Sequence, residues 1–99
     1  MAGFVQIIQY KTSKFDEMQK AIDKFREDTA GKRTTTRGMA CRDRDNAGQF
    51  VNIVEFPSYE AAMKNNELPE TAALAQEMQK LADGPPTFYN LDIERVEEG

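Results

Sequence analysis

An eight-residue run, Gln49 to Phe56, ends on Pro57-Ser58 and passes at once into helical spacing, in the stretch NIVEFPSYEAAMK. Proline has no amide hydrogen to give a sheet ladder, and a serine oxygen can accept from the free amides that open a helix. The strand must therefore stop where the helix begins. Few other features of these 99 residues constrain the chain path as tightly.

The remaining elements follow from pattern. Phe4 to Tyr10 mixes β-branched and aromatic residues with glutamines and has the length of a strand. Ser13 stands three residues before Asp16 in a capping-box-like start, and Phe15, Met18, Ile22 and Phe25 recur at helical spacing. This predicts a helix near 14–29, with Gly31 just past its end. Thr34 to Cys41 is β-prone, and the turn residues Asp45 to Gly48 return it as a hairpin into Gln49–Phe56. After Ser58 the helix is short. Asn65 to Leu68 interrupts it, Pro69 suits the first turn of a second piece, and Leu74, Met78 and Leu81 form that piece's stripe. Asp83-Gly84-Pro85-Pro86 ends it, and Phe88 to Val96 reads as the last strand.

The order βαββαβ over a single domain, residues 1–99, predicts an α+β, ferredoxin-like fold: a four-stranded antiparallel sheet with helices on one face. Two apolar sets alternate along the strands. One holds Val5, Ile7, Val51, Ile53, Leu91 and Ile93, the other Phe4, Ile8, Phe50, Val54 and Phe56. One helix layer covers one face, so a second copy of the chain, in a two-fold homodimer, is expected over the other. A formal charge of -4 argues against a nucleic-acid partner. With no histidine and one cysteine, the usual imidazole and thiolate metal sets cannot be assembled, and no metal is expected. Gly3 to Tyr10 is too short to span a bilayer and has no basic leader, so no membrane association and a cytoplasmic location are expected.

Three stretches carry a family resemblance: VNIVEFPSYEAAMKN from Val51, Leu68-Pro-Glu-Thr71, and Met78 to Pro86 leading into the last strand. Together with the element order they resemble the dimeric α+β barrel superfamily, in its antibiotic biosynthesis monooxygenase type. The fold hosts several activities, so the activity rests on the site. In cofactor-free, quinone-forming members an Asn on the third strand, followed four residues later by a Trp, contributes to the substrate pocket. The matching positions here are Asn52 and Phe56. The resemblance thus implies a cofactor-independent monooxygenase acting on a phenolic or polycyclic aromatic substrate, with Asn52 holding or polarising a phenolic oxygen and Phe56 keeping the aromatic wall. Haem degradation of the family's Asn, Trp and His kind is excluded, since the chain has neither Trp nor His.

Around that pair, the residue types nominate further substrate contacts. Tyr10 is favoured over Tyr59 and Tyr89 as a hydroxyl donor. Arg37 or Arg42 could meet an acidic ligand, but alternation places them on opposite faces, and each also reads as a surface ion-pair partner. Asn65 and Asn66 lie at the helix break, and Met63 and Met78 could line a hydrophobic cavity for an aromatic ligand or simply fill core. Glu55 reads as outward or salt-bridged rather than as a general base, and Cys41 as a small buried residue. The competing reading is a non-catalytic small-molecule-binding or stress-associated dimer, which needs an apolar pocket but no acid–base pair.

Overall fold

The computed structural model describes residues 3–99. Met1 and Ala2, which fall within the expected domain, lie outside the described residues. Strand β1 spans Phe4–Lys11, helix α1 Phe15–Asp28, strands β2 and β3 Arg37–Arg42 and Gln49–Phe56. Helices α2 and α3 span Tyr59–Asn66 and Pro69–Leu81, and β4 spans Thr87–Asp92. The strands form one antiparallel sheet in the order β2-β3-β1-β4. This is the ferredoxin-like α+β plan.

The elbow forms as its chemistry requires. Ser58 Oγ accepts from the Ala61 amide at 3.1 Å, capping α2, and Pro69 occupies the first turn of α3. Gly31, just past α1, takes φ of 83°, a left-handed conformation that glycine adopts without strain. The start of α1 differs from expectation. Lys14 is the N-cap residue and no side chain caps the helix there. Thr12 rather than Ser13 organises the entry: its hydroxyl accepts from the Lys14 amide at 2.9 Å and donates to the Leu81 carbonyl at 2.7 Å, tying α1 to the end of α3.

The last strand, expected over Phe88 to Val96, spans Thr87–Asp92. Phe4 pairs with Asp92 and the Ile93 amide reaches the Gly3 carbonyl at 2.9 Å.

Alternation places the second apolar set beneath the helices, where it forms two clusters. At one end of the sheet Tyr10, Met18 and Phe50 are buried, with Ile8, Phe15, Met78, Leu81 and Ala82 against them. At the other, Phe4, Phe56 and Ala62 are buried with Val54, Ala61 and Met63. Side chains of this kind contribute about 1.5–3 kcal/mol each when removed from water. The opposite face carries Val5, Ile7, Val51 and Ile53, half-buried, with Met39 39% exposed, Tyr89 46% and Leu91 44%. Cys41, expected to be buried, is exposed. It sits opposite Val51 on the edge strand β2, on the face without helices, where none of the described elements covers it.

Candidate functional site

Asn52 alternates with Phe50 and Val54 along β3 and so faces the helices, level with Ile8 on β1 and Ala40 on β2. It is 8% exposed and lies between the two apolar clusters. A buried amide needs partners. Tyr10, 5% exposed, supplies one: its hydroxyl donates to Asn52 Oδ1 at 2.9 Å. Burial raises the Tyr10 phenol above its ordinary value of 10.0, the hydrogen bond to Asn52 works in the opposite sense, and Cys41 adds a smaller upward push. Tyr10 is therefore a neutral phenol near pH 7. It acts as a donor that fixes the orientation of the amide, and Asn52 Nδ2 is the group left to donate to a third party.

The rings around the pair are ordered. Phe15 stacks on Phe50 with centroids 4.3 Å apart, and Tyr10 stacks on the same ring at 5.8 Å. Arg42 stands over Phe50 at 5.9 Å, a cation–π approach on the helix side of β2. Arg37 projects to the other face. Its Nη2 and Nε donate to Glu55 Oε2 at 2.8 and 3.1 Å, so the two arginines lie on opposite faces and only Arg42 shares one with Asn52. Glu55 is salt-bridged and carries no role as a buried base.

The other nominated residues separate into two groups. Met78 packs with the Tyr10 cluster, beside the amide pair. Phe56 and Met63 belong to the far cluster, where the Phe4 ring lies 6.3 Å from that of Phe56. Asn65 is 6% exposed and structural in its bonding: Oδ1 accepts from the Thr34 amide at 3.3 Å and its carbonyl from the Thr71 hydroxyl at 2.6 Å. Asn66 is exposed at the end of α2. Gln6, which residue type alone does not single out, joins the polar band between the clusters. It alternates with Phe4 and Ile8, and its Nε2 donates to Asn90 Oδ1 at 3.2 Å. A glutamine flanked by apolar residues on an inner strand is the signal that would have found it.

Two hollows lie nearby. An open groove of about 530 Å³ runs between α1 and α3 over Ala21, Phe25, Leu74 and Leu81, with a charged rim that includes Glu17 and Glu70. A second, of about 370 Å³, is lined by Tyr10, Gln49, Gly84, Pro85 and Thr87 at the end of the sheet. Asn52 lines neither of them, and Tyr10 borders the second. Among the described residues no cluster of three or more His, Cys, Asp or Glu side chains is placed to hold a metal ion, and no helix is long and apolar enough to cross a membrane.

No protein-family model and no curated protein matches the chain. Solved structures do. SnoaB, a cofactor-independent oxygenase from Streptomyces nogalater, superposes with a TM-score of 0.80 at 13% identity over 97% of each chain. A variant of that oxygenase with an asparagine replaced by alanine gives the same score over 95% of each chain. A candidate antibiotic biosynthesis monooxygenase from Caulobacter crescentus reaches 0.81 at 14% identity, covering 95% of this chain and 92% of that one. A conserved protein from Methanosarcina mazei reaches 0.79 at 9% identity over 92% of each chain. The chain thus shares the fold of these neighbours, a four-stranded antiparallel sheet with helices on one face. Identities this low establish the fold, and activity has to be argued from the residues.

Proposed function

We propose that this chain is a cofactor-independent monooxygenase for phenolic or polycyclic aromatic substrates, working as a homodimer. The observation that carries the reading is the Tyr10–Asn52 pair, a buried phenol–amide hydrogen bond set between two aromatic-rich clusters. The fold shared with a cofactor-independent oxygenase supports it. An activated ring CH2 gives up a proton to solvent water and becomes an enolate, and Asn52 Nδ2 donates to the oxygen where that charge collects. The electron-rich carbon reduces dioxygen, one oxygen atom is retained as the new carbonyl, and the other leaves with the two hydrogens as water. Tyr10, kept neutral by burial, holds Asn52 in place through its Oδ1.

The homodimer reading rests on the helix-free face. Val5, Ile7, Val51 and Ile53 there adjoin Met39, Tyr89 and Leu91, the last three each at least 39% exposed, as one contiguous apolar surface across the sheet. A two-fold pairing would bury the same patch on both copies.

The test is anaerobic mixing of the protein with anthrones and hydroquinones, followed by admission of air. Oxygen uptake above the protein-free blank, stoichiometric with quinone formation and lost in Asn52→Ala, is the expected result. No uptake from any member of the panel sinks the catalytic reading. One observation favours a second reading, a non-catalytic dimer that binds small aromatic molecules: among the described residues, the polar side chains buried as a whole besides Tyr10 are Thr12, Thr29, Asn52 and Asn65, none of them a carboxylate or amine, while Gln19 and Glu70 bury one polar atom each. Ligand-induced stabilisation without oxygen uptake would select it.

A further inference from the structure

Helix α1 holds a donor that residue type did not single out. Gln19 lies on α1, and its Nε2 is shielded from solvent with no acceptor among the described residues. At about 100° per residue, Phe15, Met18, Gln19 and Ile22 fall within one arc about 100° wide. Phe15 and Met18 on that arc pack against Phe50, so the arc faces the sheet. Residues that line the α3 groove, such as Glu17, Lys20 and Lys24, project the other way.

Level along the sheet follows from the chain path. Helix α1 begins where Phe15 stacks on Phe50, at the start of β3. Past its end, the Thr36 amide reaches the Glu55 carbonyl at 2.8 Å, near the end of β3. The helix therefore runs parallel to that strand. Gln19, four residues beyond Phe15, is displaced by about 6 Å along the helix. Asn52, two residues beyond Phe50, is displaced by about 7 Å along the strand. The two amides come level.

From this placement we infer that Gln19 is a substrate-binding residue, whose Nε2 donates, together with Asn52 Nδ2, to the anionic oxygen of a phenolate or enolate. The inference rests on the oxygenase reading for its ligand class and adds the second donor of an oxyanion-binding pair. A stranded buried donor weakens the fold of the free protein, and an anionic oxygen is the acceptor that would satisfy it.

The experiment is anaerobic titration of the protein with dithranol, a hydroxylated anthrone, following anion absorbance across a pH series. Wild type should bind the anion and lower its apparent pKa. In Gln19→Leu the bound pKa should return toward that of free dithranol, with anion affinity down about tenfold or more. Gln19→Glu should lose more, because it removes the donor and adds like charge. The melting temperature of Gln19→Leu should equal or exceed that of wild type, since no polar group is left stranded, which separates lost binding from lost folding. Unchanged anion affinity and pKa in Gln19→Leu overturn the assignment and leave the oxygenase reading standing. Failure of wild type to bind dithranol and every other anthrone and hydroquinone of the panel overturns both.

Discussion

On the helix-covered face, Phe50, Val54 and Phe56 of β3 meet aromatic and aliphatic side chains, and Asn52 meets the Tyr10 hydroxyl. On the other face their neighbours Val51, Ile53 and Glu55 meet only the adjacent strands, with Glu55 held by Arg37. One strand therefore sets an enclosed polar centre against an uncovered apolar surface. Enclosure makes the difference in consequence. A polar group kept from water must be bonded and then specifies what approaches it, whereas a bare apolar surface specifies only that something should cover it.

The sharpest test of the enclosed side is Phe50→Ala. Phe50 is 5% exposed and carries the Phe15 and Tyr10 stacks, so its removal should cost about 3–5 kcal/mol, read as a lower urea midpoint. The matching test of the open side is Ile53→Asp. If a second copy covers this face, an unpaired carboxylate in the interface should cost the dimer about 3 kcal/mol. Size-exclusion chromatography with light scattering should then show monomers where wild type gives dimers. An oligomeric state unchanged by Ile53→Asp removes the homodimer reading and leaves the face as solvated surface.

Local chemistry made the scaffold legible. Pro57 and Ser58 carry their own instructions, and β3 runs from Gln49 to Phe56 as its apolar pattern implies. Pro69 likewise marks the first turn of α3. What the pattern could not supply is contact between distant segments. Tyr10 and Asn52 are 42 residues apart, and their bond exists only because β1 and β3 pair in a register that sets Ile8 opposite Asn52. Cys41 read as buried because its residue type usually is, but its exposure is decided by its place on an edge strand without helix cover. The entry to α1 depends on a threonine that reaches across to Leu81.

Within the enclosed centre, the two partners of one hydrogen bond should behave differently. Asn52→Leu strands the Tyr10 hydroxyl and should cost about 1–3 kcal/mol in stability. On the oxygenase reading it should also lower kcat about a hundredfold, as removal of an oxyanion donor does. Tyr10→Phe should cost about 1 kcal/mol and leave a misoriented amide with a smaller kinetic loss. The pH dependence has a definite sign. Burial raises the folded-state pKa of Tyr10 above 10.0, so its contribution is intact below that value and is lost as pH rises through the raised one. Wild-type stability should fall in that alkaline window, and Tyr10→Phe should remove this part of the decline. An identical alkaline profile in the two proteins would mean that Tyr10 is not enclosed as described.

The smallest effect belongs to a polar pairing on the open side of β3. Arg37 and Glu55 are direct cross-strand partners, with both guanidinium donors on one carboxylate oxygen. Arg37 is 65% exposed and Glu55 28%, so water screens the pair and Arg37→Ala should cost the protomer about 0.5 kcal/mol. Coverage by a second copy would change this. If the interface extends to the pair, Arg37→Ala leaves Glu55 unpaired in a drier setting and the cost rises to about 3 kcal/mol, lessened again in Arg37→Ala with Glu55→Ala. Measured at protein concentrations above and below dimer dissociation, the double-mutant cycle reports whether the apolar face alone, or the face with its ion pair, is covered.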